Sequence, residues 1–189
     1  DAQRGLNEAV LEQWEGWFRA MDDAGITIFL FIYDDNARIW DTRDEVGEAE
    51  AAFLTTLVNR FEHHRNLIWC IAEEYQERFS PARVSAMAAT IAAADDHRHP
   101  IAVHKLNGLD FSEFADDPNI AQFAVQYNVA DAGELHEALG GAWEAAEGRY
   151  GLNLSEAAEF GTGAALRRKI WACATAGAYV MVLGMDIAS

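Results

Sequence analysis

Apolar positions recur along this chain in two rhythms that take turns. Val10, Leu11, Trp14, Trp17, Phe18 and Met21 fall on one face of a helical period, with Asn7 placed to cap it and Gly25 to end it. The unbroken run I-T-I-F-L-F-I-Y at 26–33 then predicts a fully buried strand, which ends at Asp34, Asp35 and Asn36. A second helix is expected over about 48–63, with Phe53, Leu57, Val58 and Phe61 inward, and a second strand over 67–72, L-I-W-C-I-A. Ser80-Pro81 is a cap followed by a first-position proline, and the alanine-rich helix it opens runs to about Ala94. Strands are expected at 101–104, 120–127, 151–155 and 178–183, and helices at 131–147 and 163–176. A short helix or loop at 109–114 fills the one remaining gap.

Repeated strand–helix units with short apolar strands mean a parallel sheet with helices outside. The fold class is therefore α/β, as an open doubly wound sheet or as a (β/α) barrel. The first strand ends in D-D-N rather than a glycine-rich turn, which weakens a dinucleotide-binding reading, and no cofactor is expected. In a barrel, chemistry sits where strands end. Those ends read Asp34-Asp35-Asn36, Glu73-Glu74-Tyr75, His104, Gln126-Tyr127-Asn128, Glu156 and Asp186.

At 189 residues the chain can build a sizeable core, and 51% of it is apolar. Its net charge of −17 argues against nucleic acid and against anionic membranes as partners. The run 26–33 is far too short to span a bilayer, which takes ~20 residues. No leader-like segment is read at the start, which is Asp1 rather than Met, and the compartment is left open. Cys70 and Cys173 fall in buried elements and form no framework, so two free thiols are expected. His63-His64 reads as a solvated helix end. In D-D-H-R-H (95–99), His97 and His99 put two imidazoles on one side of an extended segment, as a metal site would, but they precede a strand rather than follow one. No metal is expected.

The stretch N-L-I-W-C-I-A-E-E, at 66–74, resembles the fourth-strand signature of the clan A glycoside hydrolases, the cellulase-like (β/α)8 barrels. G-R-Y-G-L-N-L-S-E, at 148–156, resembles their seventh strand. H-P-I-A-V-H (99–104) and R-R-K-I-W-A-C-A-T-A-G-A-Y-V (167–180) resemble the fifth strand and the last helix–strand passage of the apiosidase-like members. The resemblance implies a partial barrel of about six parallel strands, with the family's first two strands not represented. The expected extent is 1–189 as one catalytic barrel domain, or the C-terminal three-quarters of one. It also implies a secreted or periplasmic setting. Two open sheet edges would favour a homo-oligomer.

By the same resemblance Glu74 is the general acid/base and Glu156 the nucleophile of a retaining glycosidase acting on a poly- or oligosaccharide. Glycoside cleavage needs such a pair, one acid to protonate the leaving oxygen and one carboxylate to attack. Strand alternation would turn Glu73, where the family usually has Asn, away from Glu74. His104, Tyr127, Asn128, Tyr75, Trp40 and Asp34 are the expected substrate-binding residues, with the aromatics as platforms for sugar rings. The alternatives are a non-catalytic carbohydrate-binding barrel or inactive fragment of a glycosidase, and, more distantly, a metal-dependent hydrolase using His104 and Asp186.

Overall fold

A computed structural model describes residues 5–37, 40, 43–156 and 161–180. The chain divides into two compact units, Asp1–Ala102 and Val103–Ser189. Six strands among the described residues form one sheet: β1 (Ile28–Tyr33), β2 (Leu67–Ala72), β3 (Ile101–Lys105), β4 (Gln122–Gln126), β5 (Gly151–Glu156) and β6 (Ala178–Val180). Their order in the sheet is their order in the chain. β1–β2, β2–β3, β4–β5 and β5–β6 are all parallel. A doubly wound sheet reverses its strand order at a switch point. No reversal occurs here, so the fold is a partial (β/α) barrel rather than an open dinucleotide-type sheet.

In the first unit, α1 (Glu8–Asp23), α2 (Glu48–Phe61) and α3 (Pro81–Ala94) accompany β1 and β2. Asn7 Oδ1 accepts from Val10 N–H, and Ser80 Oγ from Arg83 N–H, so both expected caps form. β2 is central: Trp69, Cys70, Ile71 and Ala72 have no exposed surface, and Leu54, Val58, Phe61, Val84, Met87 and Ile91 close over the same core. β1 departs from expectation. Ile26 is exposed and precedes the strand, and residues 29–32 are only half-buried. Among the described residues β1 pairs only with β2, so it is an edge strand. The α1 face is likewise narrower than its pattern. Leu11 and Phe18 are buried, but Val10 and Trp17 are exposed, and a groove of about 520 Å³ remains between α1 and β1.

Two polar networks brace this unit from inside. Asp95 accepts the Trp69 indole N–H at 2.9 Å, the backbone N–H groups of His97 and His99, and the His99 ring Nδ1 at 3.0 Å. His99 Nε2 lies 2.8 Å from the His64 carbonyl oxygen. Burial alone would raise the Asp95 carboxyl, but these donors outweigh it and hold it below the usual range. Both His99 ring nitrogens are engaged within the protein, which explains why the His-x-His pattern is structural. The second network joins Glu50 and Arg83. Arg83 Nη2 meets Glu50 Oε2 at 2.5 Å, Tyr33 OH donates to Glu50 Oε1 at 2.8 Å, and Arg83 Nη1 donates to the carbonyls of Arg43 and Glu45. It fastens the loop after β1 to α2 and α3.

In the second unit, β4 is buried along its whole length. The expected helix or loop at 109–114 is a set of turns, held because Phe111 stacks on Phe123 at 4.1 Å. α4 (Ala132–Ala146) starts at Asp131, whose carboxylate accepts from Gly133 and Glu134 N–H. It packs on α5 (Gly163–Thr175), where the His136 ring meets the Ala172 carbonyl at 3.0 Å. Both cysteines are free and buried, and burial pushes the Cys173 thiol up to about 11. Leu183, Met185 and Asp186, expected to end the last strand, lie outside the described residues.

Gly177, between α5 and β6, has φ +89, and a Cβ there would come within 2.7 Å of the Trp143 indole Nε1. Gly177→Ala therefore combines left-handed strain with a clash. We expect a loss of about 2 kcal/mol or more, read as a lower urea midpoint with an unchanged m-value. A midpoint equal to wild type would show that neither the strain nor the clash is felt.

Candidate functional site

β2 ends one residue before the glutamate doublet. Glu73 N–H still donates to the Tyr33 carbonyl at 3.0 Å, but Glu74 has φ 42 and ψ 52. The strand pleat stops at Ala72, so alternation does not set the directions of Glu73 and Glu74, as the sequence suggested it would. Glu74 instead precedes a single 3-10 turn, Tyr75–Glu77, and its carbonyl accepts from Glu77 N–H at 2.9 Å. A glutamate in the left-handed region is strained by about 1 kcal/mol, and such strain concentrates at functional positions.

Around it the first unit gathers acids. One carboxylate oxygen each from Asp35, Glu74 and Glu77 lies within 4.8 Å of the others. Asn36 Nδ2 donates to Asp35 at 2.7 Å, and Arg78 reaches Asn36 Oδ1 at 3.3 Å. Asp34 is exposed and turns the chain by accepting Asn36 N–H. Trp40 is half-buried, with its ring 5.2 Å from Phe53 and edge-on to Tyr33. Tyr75 departs from its expected part as a sugar platform. It is only 3% exposed, because the 3-10 turn folds its ring inward.

In the second unit Glu156 is the last residue of β5. The β4–β5 register slips just before it: Val125 pairs with Leu154, but Gln126 pairs with Glu156, leaving Ser155 as the extra residue. Such irregularities re-aim the side chain at a strand end. Ser155 Oγ donates to the Val125 carbonyl, and Tyr127 N–H reaches the Glu156 carbonyl at 3.4 Å. The Glu156 side chain is 38% exposed, and its Oε2 lies 3.9 Å from Nε2 of the buried His104. Tyr127 is half-buried and Asn128 exposed. Gln126 Oε1 accepts Asn107 N–H, tying the loop after β3 to β4.

One polar residue here was missed in the pattern. Asn153, two positions inside β5, is buried, and its Oδ1 has no hydrogen-bond partner among the described residues. An asparagine in the apolar run L-N-L was the available clue.

Burial pushes His104 down to about 4, so its imidazole is neutral at pH 7 and its contact with Glu156 is dipolar rather than ionic. The sign for stability follows. Between about 4 and the ordinary 6.5 the unfolded chain binds more protons than the fold, so stability rises with pH. Acidifying from pH 7 to 4 should remove on the order of 3 kcal/mol through this residue. Urea unfolding at both pH values would show a flatter dependence in His104→Gln. Equal dependence in the two proteins would contradict the neutral state.

A family model for the catalytic domain of apiosidase-like proteins matches residues 1–185. The chain belongs to the apiosidase-like catalytic-domain family. Two crystal structures from Bacteroides vulgatus share the fold of this apiosidase-like domain. A candidate glycoside hydrolase superposes with a TM-score of 0.70 at 16% identity, over 91% of this chain and 35% of that one. A glycoside hydrolase of family 5 superposes with a TM-score of 0.65 at 14% identity, over 89% of this chain and 43% of that one. The apiosidase-like chain thus spans about a third of one structure's length and less than half of the other's. No curated protein matches it in sequence.

Proposed function

We propose that this apiosidase-like domain is the catalytic part of a glycoside hydrolase. It would cleave O-glycosidic bonds of a poly- or oligosaccharide by a retaining, two-carboxylate mechanism. The observation that carries the reading is the placement of a glutamate at the C-terminal end of β2 and another at that of β5, in a chain of this family. Parallel (β/α) barrels keep their chemistry at that end of their strands.

The Glu156 carboxylate attacks the anomeric carbon while Glu74 gives its proton to the leaving oxygen. Water then attacks the glycosyl ester, Glu74 takes the water's proton, and Glu156 leaves as carboxylate. A neutral His104 suits this role for Glu156, because a cation there would quench the nucleophile. Asp34, Trp40, Tyr127 and Asn128 remain the substrate-binding candidates.

A panel of aryl glycosides and polysaccharides tests the reading, with NMR detection of the first-formed anomer. Release of a product with the configuration of the substrate is the expected outcome. Net inversion would remove the nucleophilic role of Glu156. Saturable sugar binding with no hydrolysis across the panel would favour the non-catalytic carbohydrate-binding barrel.

A further inference from the structure

At the opposite end of β2 from Glu74, α1 brings a carboxylate to the two histidines that follow α2. Glu15 lies on the buried stripe of α1, between Leu11 and Phe18, where the helical period calls for an apolar residue. α2 ends at Phe61, and the chain turns tightly as His64 N–H donates to the Phe61 carbonyl at 3.0 Å. The turn lays the His63 and His64 rings 4.1 Å apart, centre to centre, with both Nε2 atoms toward Glu15.

His63 Nε2 is 2.8 Å from Glu15 Oε1, and His64 Nε2 is 3.1 Å from the same oxygen. The His64 side chain is only 5% exposed. Its Nε2 is misaligned for a hydrogen bond, and neither that atom nor the buried Glu15 Oε2 has a hydrogen-bond partner among the described residues. Leaving two such atoms unmatched in an interior is costly. The position of His64 is fixed independently, because its carbonyl is held by the His99 ring and its own ring packs edge-on against Phe18. The ring therefore cannot turn away to find water without disturbing the core.

We propose that Glu15, His63 and His64 form a binding site for a divalent transition metal of the zinc class, which clips α1 to the end of α2. Two imidazoles and one carboxylate are a donor set suited to zinc, nickel or copper rather than magnesium or calcium. Metal–ligand bonds of about 2.0–2.2 Å in a tetrahedron place ligand atoms roughly 3.4 Å apart. The two imidazole–carboxylate separations, 2.8 and 3.1 Å, fall inside that value, and the solvent-facing ring of His63 has room to open. Three protein ligands leave a fourth position for Glu15 Oε2 or solvent. Arg19, 3.5 Å from Glu15 Oε1, is largely exposed and free to swing away.

The test uses the whole chain, without a histidine tag, stripped with EDTA and dialysed. Calorimetric titration with Zn2+ should give one site per chain, and the Tm should rise by several degrees at a hundredfold excess over Kd. Co2+ should give the intense visible bands of a tetrahedral site. His63→Ala and Glu15→Gln should each weaken binding by ~100-fold or more, since losing even an outer partner of a ligand costs 10–100-fold. His63 is half-exposed, so its variant should keep the fold. Absence of a saturable Zn2+ site would overturn the proposal. So would binding that survives His63→Ala but is lost in Glu77→Gln, which would move the ion to the carboxylates around Glu74.

Discussion

Glu156→Gln is expected to lower kcat on any cleaved glycoside by about 10³-fold or more, with the Tm unchanged. The amide keeps the shape of the side chain but cannot form the glycosyl ester. Because the Glu156 side chain is partly exposed at a strand end, the change removes no buried charge pair. Glu74→Gln should behave differently. Losing a general acid typically costs ~10²–10⁴-fold, and the loss should shrink on substrates whose leaving group needs no proton, such as nitrophenyl glycosides. The Glu156 defect should not depend on the leaving group in this way. A Glu156→Gln protein that turns over near the wild-type rate would end the assignment. Equal leaving-group dependence in both variants would exchange or merge the two roles.

The largest stability effect is expected at Arg83. Its guanidinium and the Glu50 carboxylate are each less than 5% exposed, and the pair is joined by the Tyr33 hydroxyl. Burial and the Glu50 carboxylate push that phenol well above its ordinary range, so Tyr33 acts only as a donor. Arg83→Met leaves Glu50 buried with the Tyr33 hydroxyl as its one side-chain donor among the described residues. It also frees the carbonyls of Arg43 and Glu45, which Arg83 holds. Breaking one side of a buried pair costs about 3–5 kcal/mol, whereas replacing both by apolar groups of similar size is often neutral. Urea unfolding should show that full loss for Arg83→Met, and most of it recovered in Glu50→Leu/Arg83→Met. A single variant within about 1 kcal/mol of wild type would mean that water already reaches the pair.

Much of the fold was legible because its signals are local. Helical and strand periods, the Asn7, Ser80 and Asp131 caps, and Pro81 after Ser80 are each written within a few residues of the element they define. The observed elements lie close to the predicted ones, and the acidic strand ends were visible as polar residues closing apolar runs. Burial was less legible. A run such as I-F-L-F-I-Y looks the same in a central strand and in an edge strand, so the half-exposure of β1 had no signature. The pleat past Ala72 was also misread, since nothing in E-E-Y announces that Glu74 turns left-handed.

By itself, then, the sequence determined the element types and the α/β class, since near neighbours along the chain dictate both. Tertiary structure decided the sequential strand order, the neutral state of His104, and the partners of the buried charges. Glu50 and Arg83 stand 33 residues apart. Each looks like an ordinary surface charge until packing removes water from around it. A charge so enclosed must find its partner in space, and only the fold brings that partner within reach.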